Sequence, residues 1–268
     1  MNLKRIFIIA FFDLGHTLFR LKGLVFLIPF LFFWYLMLRF LLNNGGELLT
    51  SAQSLLFFSW LLNKAEIAQK LLILHPPTLS VFFIVALGTV PFFAMLSGND
   101  QTAGDSGRQS FRYFLTRATR AEIYSGRFLS QYILMIFAFL LIVVAAALIS
   151  ARNDQFSNTD IIEYALNIYL LILVYILPFV AFMSLISALM SSALSSLLMS
   201  VTMYTILLVT GAYISLKASF NIIFVPSGMK EYLFNINPGD LTFAVTGLVG
   251  YTLVYVSIGW LIFRKRNI

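Results

Sequence analysis

The run IEYALNIYLLILVYILPFVAFMSLISALMSSALSSLLMSVTMYTILLVTGAYISL, residues 162–216, carries one charged residue, Glu163. As a single helix it would be roughly 80 Å long at 1.5 Å per residue. The hydrocarbon of a bilayer is only about 30 Å thick. The run must therefore fold back on itself. The serine-rich string MSSALSS (190–196) is the place for a turn. Two membrane-spanning helices follow, 162–190 and 194–216.

The rest of the chain reads the same way. Four more apolar stretches of spanning length lie at about 23–43, 78–97, 128–151 and 242–263, and their ends are marked by charge or by turn residues. Mean hydropathy is +0.91 and only 11% of residues are charged, far from a soluble domain. A β-barrel would alternate apolar and polar residues over segments of about ten, and no such pattern occurs. The expected fold is an all-α membrane protein, one transmembrane domain over 1–268. Segment ELLTSAQSLLFFSWLLN (47–63) is short and interrupted by polar residues. It reads as an interfacial or re-entrant helix rather than a seventh span. There are no cysteines, which excludes disulfides and thiolate chemistry. No cleavable signal peptide is legible at the N-terminus. The formal charge of +7 and pI near 9.7 fit basic loops facing an anionic leaflet better than nucleic acid.

Lys/Arg placement sets the expected orientation. With six spans, the N-terminus, the 98–127 loop, the 190–196 turn and the C-terminus share one side. That side holds twelve: Lys4, Arg5, Arg20, Lys22, Arg108, Arg112, Arg117, Arg120, Arg127, Arg264, Lys265 and Arg266. The other side holds five: Lys64, Lys70, Arg152, Lys217 and Lys230. Arg39 can snorkel outward. The bias places both termini in the cytoplasm. Before the first span, residues 1–22 form an amphipathic helix. Asp13, His16, Thr17 and Arg20 share one face and Ile6, Ile9, Phe11, Leu14 and Leu18 cover the rest, the pattern of a helix in the membrane interface.

Charge concentrates again in SFRYFLTRATRAEIYSGRFLSQ (110–131). GNDQTAGDSG (98–107) ends the second span with turn-forming residues. Over 106–122 the spacing predicts a helix: Phe111, Phe114, Leu115 and Ala118 make an apolar stripe, with Arg112, Arg117 and Arg120 on the opposite arc. Glu122 and Arg127 stand at the mouth of the third span. Topology needs positive charge here but not an amphipathic helix, so the helix reads as a docking surface for a soluble partner. Arginines suit bidentate contacts with that partner's carboxylates.

This layout resembles the ABC-2-type permeases, the transmembrane subunits of ATP-binding-cassette exporters. The likeness rests on the amphipathic elbow helix before six spans and on RYFLTRATRAEIYSGRFL (112–129), where Asp105, Leu115, Arg117, Arg120, Glu122, Gly126 and Arg127 match in kind. FNINPGDL (234–241) is similar to the family's LNP segment and FRKRNI to its basic C-terminus. The proline usual in the loop is absent. The resemblance implies that 106–122 is a coupling helix gripped by a cytoplasmic ATPase through Phe111, Arg112, Phe114, Leu115, Arg117, Arg120, Glu122 and Arg127. It implies a multi-pass protein of a bacterial cytoplasmic (inner) membrane, paired with a second permease copy. ATP and Mg would sit on the ATPase, since this chain has no GxxxxGK[ST] string.

Other candidates carry less. His16 and His75, the only histidines, fall on opposite sides in this topology and cannot share a metal, so no metal or catalytic residue is expected. Ser187, Ser191 and Ser195, and Ser192, Ser196 and Ser200, repeat every four residues and read as close helix packing. Gly247, Gly250, Ser257 and Gly259 read likewise in the last span. Few polar side chains are available for a private pore, so a substrate path is expected between two copies, along spans two and five. It would be lined by Ser195, Thr202, Tyr204, Thr205 and Thr210 and would suit an amphiphilic or lipid-linked cargo. The competing reading is a non-transporting membrane scaffold that recruits a soluble partner through the same loop.

Overall fold

The computed structural model describes residues 2–18, 21–44, 51–62, 65–104, 118–217, 225–234 and 238–266. Among them there is no strand. The elements are α1 (Leu3–Leu18), α2 (Leu21–Asn44), α3 (Ala52–Leu62), α4 (Ala65–Gln69) continuing into a π-helical turn Lys70–Leu74, α5 (Pro77–Gly98), α6 (Arg120–Asn153), α7 (Asn158–Leu189), α8 (Ala193–Lys217), a 3-10 turn Pro226–Met229, α9 (Lys230–Phe234) and α10 (Pro238–Lys265). Six helices, α2, α5, α6, α7, α8 and α10, are long and apolar enough to cross a membrane, and they are the six read from the sequence. The long run of 162–216 does fold back. Helix α7 ends at Leu189, Met190 is extended, and α8 begins at Ala193. α3 has 11 residues, about 16 Å, too short to span.

Burial orders the bundle. In α5 and α7, 72% of the apolar window is buried, against 11% in α8 and α10. Helix α7 packs on α10, α5, α6 and α8, so it is the central post. An aromatic cluster fills the space between α2, α5 and α6. Phe30 meets Phe93 and Phe139 edge-on at centroid distances of 4.9 and 5.6 Å, and Trp34 lies 5.0 Å from Phe82. Lipid tails are as apolar as these side chains, so it is close packing and ring geometry, rather than escape from water, that hold such a core together. Gly259 of α10 marks a close approach between helices. A Cβ there would run into Tyr124 and sit 3.0 Å from the Leu185 Cα. Gly247 lies against Met229, whereas Gly250 and Ser257 face outward.

Hydrogen bonds fix which ends lie together. Asn2 N–H donates to Glu122 at the start of α6, Arg120 donates to the Arg264 and Arg266 carbonyls, and Arg266 donates to the Ala188 and Met190 carbonyls. The N-terminus, the start of α6, the α7–α8 turn and the C-terminus thus form one end, here the terminal end. At the far end Asn153 donates to the Leu41 and Leu42 carbonyls, and Asp154 accepts from Thr78 N–H and Oγ1–H at 3.3 and 2.8 Å. His75 lies in the bend before α5, stacked 4.4 Å from Tyr164, whose hydroxyl is 3.0 Å from Ser80 Oγ.

Candidate functional site

Of the residues expected to dock a partner, Arg120, Glu122 and Arg127 lie at the terminal end. Phe111, Arg112, Phe114, Leu115 and Arg117 lie outside the described residues. The expected helix over 106–122 does not run through its last residues. Thr119 is extended (φ −74°, ψ 155°) and caps α6, which starts at Arg120. Its hydroxyl accepts from Glu122 N–H while Glu122 accepts from Thr119 N–H at 3.0 Å, a reciprocal capping box. The string T-R-A-E spells that box in the sequence. The apolar stripe ending at Ala118 masked it.

The three described members have other duties. Glu122 is 2% exposed, accepts from Asn2 N–H at 2.8 Å and stands 3.9 Å from Arg5. Arg127 is 6% exposed, donates to the Gln101 carbonyl and pairs with Asp13 at 3.4 Å. Both side chains are turned to contacts within the chain rather than outward. Arg120 is half-buried and closes the last turn of α10, where a cation also complements the helix dipole. Arg266 does the same for α7.

Helix α1 lies against the first turns of α6, with Gly126 as the contact point. A Cβ at Gly126 would meet Ile9 at 2.8 Å and the Ile6 carbonyl at 3.2 Å. The polar face of α1 turns inward, so Asp13 reaches Arg127, while Leu3, Phe7, Ile8, Phe11 and Phe12 are exposed. An outward apolar face suits contact with lipid, and on the inward face Asp13 is met by Arg127 of α6. Sequence periodicity gave the two faces and left their direction open.

The expected path residues are not gathered into one lining. Thr202, Thr205 and Thr210 lie on the exposed side of α8. Thr202 and Thr205 hydroxyls donate to the Leu198 and Val201 carbonyls of their own helix at 2.9 and 2.8 Å. Ser195 bonds back to the Ser192 carbonyl, and Tyr204 turns inward onto Phe179 and Phe182. Span two, α5, is enclosed by α2, α6 and α7, so it offers no broad face to a second copy. Ser184, Ser187, Ser196 and Ser200 are buried. Ser187 Oγ accepts from Thr102 and Ala103 N–H at 2.8 and 3.0 Å, tying α7 to the chain leaving α5. Among the described residues no three His, Asp or Glu side chains lie close enough to hold a metal.

The fold defines a polytopic helical membrane protein with six apolar helices of spanning length and an N-terminal helix bound to the third of them. The sequence matches the family described as "Protein of unknown function (DUF2705)" over residues 57–268, and the chain belongs to that family. A comparison with curated proteins finds no match.

Proposed function

We propose that this chain is the permease subunit of an ABC-2-type exporter, working in a bacterial cytoplasmic membrane with both termini inside. A separate cytoplasmic ATPase binds ATP and Mg and drives it, and a second permease copy completes the path. The observation that carries this reading is the bond network from α1 to α6. Asn2 and Arg5 on Glu122, and Asp13 on Arg127, join an amphipathic N-terminal helix to the helix that leaves the basic loop. A push on that loop by an ATPase would then move α1 and α6 as one body, the kind of rigid shift that gates a membrane path. The twelve-to-five charge bias supports a cytoplasmic loop. The outer face of α8 supports a path or interface on that side, for an amphiphilic or lipid-linked cargo.

The test uses Arg112 and Arg117, because Arg120 has a structural partner. The double variant Arg112→Glu, Arg117→Glu is reconstituted with an ATP-binding-cassette ATPase that the wild-type chain binds. We expect a folded permease that no longer stimulates ATP hydrolysis or holds the ATPase through purification. Wild-type stimulation by this variant refutes the reading. ATPase binding without cargo movement in the wild type would turn the chain into a recruiting scaffold.

A further inference from the structure

A groove of about 530 Å³ runs between α6 and α7, in the half of the bundle away from the terminal end. Small side chains hollow it out. Ala147 and Ala151 line it from α6 and Ala165 from α7, while Leu148 and Ile162 stand exposed along it. Of its lining residues only Asn158 and Tyr169 are polar. An apolar hollow of roughly 150 Å³ holds one benzene ring, so this one has room for the carbon of about three, the scale of a single acyl chain. Between two membrane spans such a hollow opens on hydrocarbon. Whatever packs into it gains dispersion contacts on several sides at once.

The length of the groove separates a lipid chain from a helix as its occupant. Along α6 it extends from Leu140 to Ala151. At 1.5 Å per residue that is about 16 Å, half of the roughly 30 Å of hydrocarbon. Its inner end is closed. The Tyr169 hydroxyl donates to the Ile136 carbonyl at 3.3 Å, and the Tyr132 hydroxyl donates to the Leu173 carbonyl at 3.2 Å. These two bonds stitch α6 to α7 through the terminal half and leave the far half open. A spanning helix of a partner would need the groove to continue through both leaflets. An acyl chain needs one leaflet. The outer end carries the charge for a headgroup. Arg152 follows Ala151 in the last turn of α6, is exposed and makes no ion pair among the described residues. Its long side chain can lift the guanidinium to headgroup level and grip a phosphate with paired N–H bonds. Of the neighbouring acids, Asp154 is bound by Thr78 and Ser150, and Asp160 and Glu163 do not line the groove.

We propose that this groove binds a phospholipid of the leaflet at the far end, one acyl chain lying between α6 and α7 and the phosphate held at Arg152. The site goes beyond the transport reading and does not depend on it. The purified protein is placed in phosphatidylcholine bilayers with one of two probes, each carrying a photoactivatable diazirine half-way along a chain. One probe is a phosphatidylglycerol and the other a diacylglycerol, which lacks the phosphate. After illumination the labelled peptides are mapped. Phosphatidylglycerol adducts should concentrate on residues 140–151 and 158–169, above those on the outer face of α8. Measured against that α8 background, they should exceed the diacylglycerol adducts about fivefold, the worth of one interfacial cation beside an anionic lipid. Arg152→Gln should bring the two probes level. Ala151→Phe, at an exposed position, should remove the groove adducts and leave those on α8. Leu141→Phe, exposed and off the groove, should change neither. Adducts spread evenly over the lipid-facing helices, or groove adducts that survive Ala151→Phe, overturn the proposal. Equal groove labelling by both probes in the wild type overturns the phosphate contact and with it the phospholipid. Cysteines at 148 or 162 that cross-link to a second chain, with no lipid adducts between them, would assign the groove to a helix and overturn it as well.

Discussion

Glu122 shows how one side chain can serve two helices. It closes the capping box with Thr119 and receives the N-terminal Asn2 amide, so it joins the start of α6 to the start of α1. Thr119→Ala should cost about 1 kcal/mol, the usual loss for an N-cap. Glu122→Ala should cost more, because it frees the Thr119 and Asn2 donors together. Thermal melts of the two variants in detergent check that order, and equal losses would deny the link to α1. A second residue reports on pH. Burial draws the His75 pKa below its ordinary value, so the folded state resists its protonation. The unfolded chain then binds the proton more readily, and stability falls as pH drops below about 6.5. Melting temperature should decline between pH 7 and pH 5, and His75→Phe, which keeps a ring against Tyr164, should flatten the His75 share of that decline.

At the scale of elements, the docking of α1 on α6 depends on the absence of a side chain at Gly126. Gly126→Leu should lift α1 away, because Ile9 and the Ile6 carbonyl occupy the required space. Hydrogen exchange would report it as faster exchange over residues 3–18 with little change in α7. Unchanged protection there would mean that α1 is held mainly by Glu122 and Arg127. The six long helices were legible in the sequence because hydrocarbon tolerates few charges and fixes a minimum length. The turn at Met190–Ser192 was legible because one helix could not be about 80 Å long. The duties of Glu122, Arg127 and Arg120 were not. Charge beside a membrane helix can face a partner, water or the protein interior, and only the packing of α1 and α10 decides among them. The packing suggested by four-residue serine spacing fits buried Ser187, Ser196 and Ser200 but not Ser191 and Ser192, which are exposed at the turn, and it gave no hint that Ser187 would hold the Thr102 and Ala103 amides.

For the whole molecule, the terminal end gathers both termini and the start of α6, which an even number of crossings requires. Cysteines at positions 2 and 235 of this cysteine-free chain should therefore label from opposite sides of the membrane, and labelling from one side would break the six-span count. The larger question is where a second copy would sit. α5 and α7 are enclosed, whereas α8 keeps only its inner side, through Leu197, Met203 and Leu207, on the cluster around Phe182 and Met183. Its outer side shows Leu198, Val201, Thr205 and Val209, spaced at helical intervals along one face. The threonine hydroxyls there are already bonded to their own backbone, so that face is effectively apolar. Between two copies it would give a seam of small contacts that can separate and close without breaking strong hydrogen bonds, which a gated path needs. On the proposed permease reading, single cysteines at 198, 201, 205 and 209 should form symmetric disulfides between copies, with yields that change when the proposed partner ATPase binds ATP. Cysteines at 197, 203 and 207 should not, because those positions face the bundle. If the outer row fails to cross-link in every nucleotide state, the α8 face belongs to lipid, and the pair proposed above would have to meet through another exposed face, such as that of α2, α6 or α10.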